Sequence, residues 1–117
     1  MRDTTPLNLN GVRMTAASTD EKGVVTSDTV LEFAQSGNLI SARYRGGPIL
    51  KGYLIGHLRG VHVRFRYVQA DNVGNLDSGV SAGVFARLPD GRLQLTEHFH
   101  WETRSSEGTN IFVQLMT

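Results

Sequence analysis

Glu97 sits in the middle of an apolar, aromatic stripe, and that placement is the strongest chemical signal in the chain. Residues 92–101 (RLQLTEHFHW) alternate strictly: Leu93, Leu95, Glu97, Phe99 and Trp101 share one face, and Gln94, Thr96, His98 and His100 share the other. An ionised carboxylate taken out of water without a partner costs several kcal/mol. Glu97 must therefore be paired, hold its proton, or look into a wet chamber, and all three point to a lined pocket. Tyr44 and Tyr67 bring phenol tips to the same interior, with Gln69 near a mouth, while Phe33, Phe65, Phe99 and Trp101 supply apolar wall. A mostly apolar cavity with a few convergent polar groups has the composition of a small-molecule site.

Three functions fit this set. In a binding module, Tyr44, Tyr67, Glu97 and Trp101 orient a small, partly apolar ligand, with Phe33, Phe65, Gln69 and Phe99 around it. In a cofactor-free enzyme of the cyclase or isomerase type, Glu97 is general acid or base, and Tyr44 or Tyr67 polarises a carbonyl. In a structural or interaction protein the interior is simply full, and outward Tyr53 and Phe112 offer a homodimer contact. No cofactor is called for by any of the three. Gly79-Val80-Ser81-Ala82-Gly83 has the G-x-S-x-G spacing, but it lies in a run of small residues that reads as strand or loop and not as the strand-to-helix elbow nucleophilic hydrolysis needs.

The histidines raise a separate question. Glu97-His98-Phe99-His100-Trp101 resembles locally the H-F-H-W strand of α-carbonic anhydrases, in which two histidines on one strand face hold zinc. A catalytic zinc needs a third protein ligand and an open position. His62 is the available third ligand, but nothing in the sequence brings it beside the pair. With Leu95, Phe99 and Trp101 turned inward, His98 and His100 face solvent, and a metal-free exterior is expected.

The elements that must position these residues are strands. Gly, Asn, Asp and Pro punctuate the chain at Gly23, Ser36-Gly37-Asn38, Gly46-Gly47-Pro48, Arg59-Gly60, residues 71–75, Pro89-Asp90-Gly91 and residues 105–108. Between them lie about eight alternating runs, near 11–17, 24–35, 38–45, 49–57, 61–69, 78–87, 92–103 and 109–116. No segment repeats at three and four, so helix content close to nil is expected. Strands joined by turns this short are neighbours, and eight of them close as an all-β, antiparallel up-and-down barrel. The apolar face of each run gives an inward set: Leu31, Phe33, Ile40, Ala42, Tyr44, Val61, Val63, Phe65, Tyr67, Leu93, Leu95, Glu97, Phe99, Trp101, Ile111, Val113 and Leu115. Gly52, Gly56 and Gly83 are expected to leave wall space empty. Arg43, Arg45, Arg64 and Arg66 alternate onto the exterior.

Composition bounds the rest. The 117 residues suffice for one domain, 1–117, with residues 1–10 expected as a loosely ordered leader. The chain has no cysteine, which excludes disulfides, thiolate metal sites and cysteine nucleophiles. Twelve basic against eleven acidic residues, without a dense basic cluster, argue against nucleic acid as a partner. The apolar runs are too short for a membrane span or an export signal, so a soluble, cytoplasmic protein is expected.

The string Tyr44-Arg45-Gly46-Gly47-Pro48-Ile49-Leu50-Lys51-Gly52-Tyr53-Leu54-Ile55-Gly56, followed by Arg66-Tyr67 with Gln69 and by Leu95, Glu97, Phe99 and Trp101, carries a family pattern. It resembles Y-x-G-G-x-I-x-K-G-x-L-I-G, then R-Y-x-Q, then L-x-E-x-W-x-W, of small bacterial proteins often labelled N-acetylglutamate synthase. Residues 23–29 and 35–38 extend the likeness to most of the chain. The resemblance implies a small β protein of calycin-like outline. Phe99 replaces a tryptophan of that pattern, and His98 and His100 stand where it has ordinary polar residues. An acetyltransferase would need a Gly-rich, phosphate-cradling turn that opens a helix, and the sequence has none.

Overall fold

The structure is a computed structural model that describes residues 7–20 and 22–116. It consists of β1 (Arg13–Ser18), β2 (Val30–Ser36), β3 (Leu39–Gly46), β4 (Ile49–Arg59), β5 (His62–Asp71), β6 (Leu76–Arg87), β7 (Leu93–Trp101) and β8 (Glu107–Gln114). Each strand pairs antiparallel with the next, and β8 returns to β1, closing the expected up-and-down barrel. Closure leaves no unpaired sheet edge. No helix occurs among the described residues, and so none is long and apolar enough to cross a membrane.

Period-two patterning decides which side chains enter. Along β5, Val63, Phe65, Tyr67 and Gln69 are buried while His62, Arg64, Arg66 and Val68 are exposed. A slip of one residue would exchange the two sets, so burial of one face pins the register. The β2–β3 and β4–β5 connections are two residues long and begin with Gly37 and Gly60, each at φ 61°. That left-handed backbone suits glycine and matches the twist of a tight hairpin.

Inward glycines receive aromatic neighbours. Tyr44 lies opposite Gly52, Phe65 opposite Gly56, Tyr67 opposite Gly79 and Phe99 opposite Gly108. A Cβ on Gly52 would meet the Tyr44 ring, one on Gly79 the Tyr67 hydroxyl, and one on Gly108 would lie 2.6 Å from Phe99 Cζ. The expectation of empty wall at Gly52, Gly56 and Gly83 is therefore corrected. At Gly83 the Leu95 Cδ1 methyl already stands 2.8 Å from where a Cβ would be. The space is taken by the Tyr44 ring at Gly52, by the β5 backbone at Gly56 and by the Leu95 methyl at Gly83.

Other placements differ from the sequence pattern. Residues 24–29, read as the start of a strand, form a loop in which the buried Thr29 hydroxyl donates to the Gly46 carbonyl and accepts from the Thr26 amide. Val61, read as inward, is exposed in the β4–β5 turn. In β8 the inward face is Gly108, Asn110 and Phe112, whereas Ile111 and Val113, and Leu115 just beyond the strand, are half-buried on the other parity. Phe112 is thus core, and it is no longer available as an outward dimer contact. Of the leader expected to be loose, residues 1–6 lie outside the described residues. Leu9 is fully buried, and its amide donates to Gln35 Oε1 at 2.9 Å.

One end of the barrel is packed without polar content by Leu9, Met14, Ile40, Val63, Phe85 and Leu95, with Phe33 edge-on to Phe85 at 6.3 Å. Near the β5–β6 turn, Arg104 reaches Asp77 Oδ2 through Nε at 3.1 Å and through its terminal nitrogen, and stacks over Trp101 at 5.0 Å. The Arg104 hydrogen bond holds the Asp77 carboxyl below the usual aspartate range. Such a lowered pKa stabilises the fold above the ordinary carboxylate pKa and is lost as pH falls through the lowered one. Arg104→Ala should therefore cost about 1–2 kcal/mol at neutral pH. In urea melts that difference should shrink under acid conditions, and an unchanged difference at low pH would count against the ion pair.

Candidate functional site

β3, β5, β7 and β8 bring the chemically competent side chains to one end of the barrel. Their inward positions are Tyr44 on β3, Phe65, Tyr67 and Gln69 on β5, Glu97, Phe99 and Trp101 on β7, and Asn110 and Phe112 on β8. They line a chamber with Leu31 and Leu54, covered by Gly23, Val24 and Val25 of the β1–β2 loop. The void is about 30 Å³. That is room for a water molecule, and roughly a tenth of the smallest ordinary ligand pocket.

Glu97 is buried, and no described residue places a cation at its carboxyl group. Ser81 donates to Oε2 at 2.6 Å and Asn110 Nδ2 to Oε1 at 3.1 Å. Burial pushes its pKa above the ordinary glutamate value, and the two donors pull it back in part. Both donors sit directly across from Glu97 or one pair away: Asn110 is its β8 partner, and Ser81 is the β6 partner of Phe99.

The tyrosines divide in role. Tyr44 donates to Gln69 Oε1 at 2.9 Å, which fixes both side chains. Tyr67 is buried and its hydroxyl has no hydrogen-bond partner among the described residues. Burial, reinforced by the Glu97 charge, raises both phenol pKa values, so both remain protonated donors. A buried phenol without a partner forfeits about 1–3 kcal/mol relative to one that is satisfied.

Aromatic edges tie the walls together. Tyr67 meets Trp101 at 5.5 Å, Phe99 meets Trp101 at 5.8 Å and Phe65 meets Tyr67 at 6.4 Å, all close to perpendicular. Trp101 Nε1 donates to the Lys22 carbonyl at 3.0 Å, which anchors the covering loop.

Seven of the residues picked from sequence converge here: Tyr44, Phe65, Tyr67, Gln69, Glu97, Phe99 and Trp101. Phe33 does not, because it belongs to the opposite, apolar end. His98 and His100 project outward and share Glu107, at 3.6 Å and 3.3 Å. The two histidines hold the Glu107 carboxyl below its ordinary range. His62 is on the exterior of β5, which is separated from β7 by β6, and no group of three His, Cys, Asp or Glu that could hold a metal occurs among the described residues. The arginines are exterior as expected; Arg43 pairs with Glu32 at 3.4 Å and Arg66 with Glu102 at 3.0 Å.

Sequence reasoning missed Ser81, Asn110 and the Val24–Val25 cover. Ser81 was legible, since Gly79, Ser81 and Gly83 share one parity. Asn110 required the β8 register, in which the polar residue is chosen over its apolar neighbours.

Eight antiparallel strands wound once around a chamber with buried polar groups define an up-and-down barrel of the calycin type. The chain belongs to the avidin-like protein family, whose model matches residues 7–115. No curated protein and no solved structure matches it.

Proposed function

We propose that this chain is a small-molecule-binding barrel whose ligand occupies the chamber above Glu97. The observation that carries the reading is Tyr67: its ring lines the chamber, and its hydroxyl, a protonated donor set against Gly79 of β6, is buried without a hydrogen-bond partner among the described residues. A ligand oxygen or nitrogen accepting from Tyr67 would satisfy it. Membership of the avidin-like family, known for small-molecule binding, supports the same reading. A ligand larger than water must displace wall atoms, and Val24 and Val25, half-buried and outside any strand, are the wall residues least tied into the barrel. The alternative use of the same groups is proton transfer by Glu97 with Tyr67 polarising a carbonyl, and it needs the same access.

The smallness of the void favours a second reading, a barrel whose core is simply full. Tyr67→Phe separates the two. Both readings expect the variant to be more stable than the parent by about 1 kcal/mol, because an unpaired buried hydroxyl is removed. Only the binding reading expects a loss of retained ligand. Native mass spectrometry of protein from its own source should show an added mass of a few hundred daltons that diminishes in Tyr67→Phe. A bare chain mass, together with Trp101 fluorescence unmoved across a fragment set, would leave the full core as the answer.

A further inference from the structure

The chamber's charge inventory narrows the chemistry of what it holds. Among the described residues, its walls present six aromatic rings, from Tyr44, Phe65, Tyr67, Phe99, Trp101 and Phe112, and one carboxyl, Glu97. No Lys, Arg or His is among the described lining residues. Ring faces are the negative pole of the aromatic quadrupole, so both the rings and the carboxylate favour positive charge. An anion entering the chamber would meet no cation among the described lining residues and would face the Glu97 carboxyl instead. An uncharged ligand leaves the buried carboxyl with only its two neutral donors, Ser81 and Asn110.

We infer that the chamber selects a small organic cation, an alkylated ammonium, held by the aromatic rings and neutralised by Glu97. The inference rests on the binding reading above and names the ligand class for that site. The ring-to-ring chain from Phe65 through Tyr67 and Trp101 to Phe99 makes a continuous aromatic wall across β5 and β7, and β7 also carries Glu97. Trp101 already serves as a cation platform within the fold, since the Arg104 guanidinium stacks on it at 5.0 Å. Alkylation matters because a primary ammonium carries three donors that want acceptors. Gln69 Oε1, one of the few acceptors here, is taken by Tyr44. An alkylated nitrogen asks for aromatic surroundings and a counter-charge, and the lining residues supply both kinds of group.

The test uses the full chain and three probes of one shape: choline, its uncharged carbon isostere 3,3-dimethylbutan-1-ol, and the anion 3,3-dimethylbutanoate. Calorimetry should give choline a Kd at least about tenfold below that of the alcohol, with the carboxylate weakest, as expected for a desolvated cation on aromatic faces. Glu97→Gln should bring choline and the alcohol to within about threefold of each other while both still perturb Trp101 fluorescence. If the alcohol binds the parent protein as tightly as choline, or the anion binds best, the cation assignment is overturned and the chamber reading stands. If none of the three binds at millimolar concentration, the cation assignment is overturned; if the Tyr67→Phe comparison also shows no retained ligand, the chamber reading falls as well. The isostere comparison needs no variant, so it holds even where Glu97→Gln folds poorly.

Discussion

Gly56→Ala should cost more than about 3 kcal/mol and lower the melting temperature by well over 10 °C. Gly56 lies in β4 between Ile40 of β3 and Phe65 of β5. A Cβ there would collide with the Arg64 carbonyl oxygen and stand 2.6 Å from Phe65 Cα. Both obstacles are backbone atoms of the paired strand, so no rotamer change relieves them. The strand pair must separate, and its hydrogen bonds with it. Gly52 is the instructive contrast, because the three atoms nearest its added Cβ all belong to the Tyr44 ring, a side chain that turns at the expense of its bond to Gln69. Gly52→Ala should therefore be milder than Gly56→Ala. Urea denaturation of both variants measures the order, and a cost below about 1 kcal/mol at Gly56 would contradict the β4–β5 backbone approach.

Glu97→Gln should make the protein more stable at pH 8 and no more stable at pH 4. The folded state raises the Glu97 pKa, chiefly by burial. A carboxyl with a raised folded-state pKa contributes stability that is complete below its unfolded pKa and is lost as pH climbs through the folded one. The parent should thus weaken as pH rises above the ordinary glutamate value of 4.5. Each unit by which the folded pKa exceeds the unfolded one removes about 1.4 kcal/mol. Glutamine keeps the shape: its carbonyl accepts from Asn110, and its amide donates to the Ser81 hydroxyl, which serves equally as acceptor. Melting temperatures across pH 4 to 8 should be flatter for the variant than for the parent. A steeper fall for the variant, or one parallel to the parent's, would move the pH dependence to another group.

The barrel was legible from sequence because alternation and turn chemistry act locally and agree with each other. Glu97 and its aromatic companions were legible for the same reason, as members of one strand face. What failed was non-local. In β8, hydropathy alone favours Ile111, Val113 and Leu115 as the inward set. The structure instead turns Asn110 inward, where it gives the Glu97 carboxyl a donor, and Gly108, where it leaves space for the Phe99 ring. A buried carboxyl and an oversized ring across the sheet thus go with a register that the strand's own residues do not favour. The glycines misled in a related way. A missing side chain signals a gap only if no neighbouring strand fills it, and here Tyr44, Phe65, Tyr67 and Phe99 each do. The covering loop was hidden because Val24-Val25-Thr26 is a short β-branched run that reads as strand, whereas Thr29 ties its hydroxyl to the Gly46 carbonyl and the segment forms a loop.

Closure of the barrel is uneven around its circumference. β1 joins β2 in register only at Arg13, Met14 and Thr15, whereas β4, β5, β6 and β7 pair over most of their lengths. The same β1–β2 junction carries the loop that covers the chamber. Amide hydrogens along this seam should exchange fastest, since fewer bonds must break together there. The barrel is then less a sealed can than a zipped sleeve, with its slider beside the chamber. Exchange of anything held inside would be timed by the parting of two short strands.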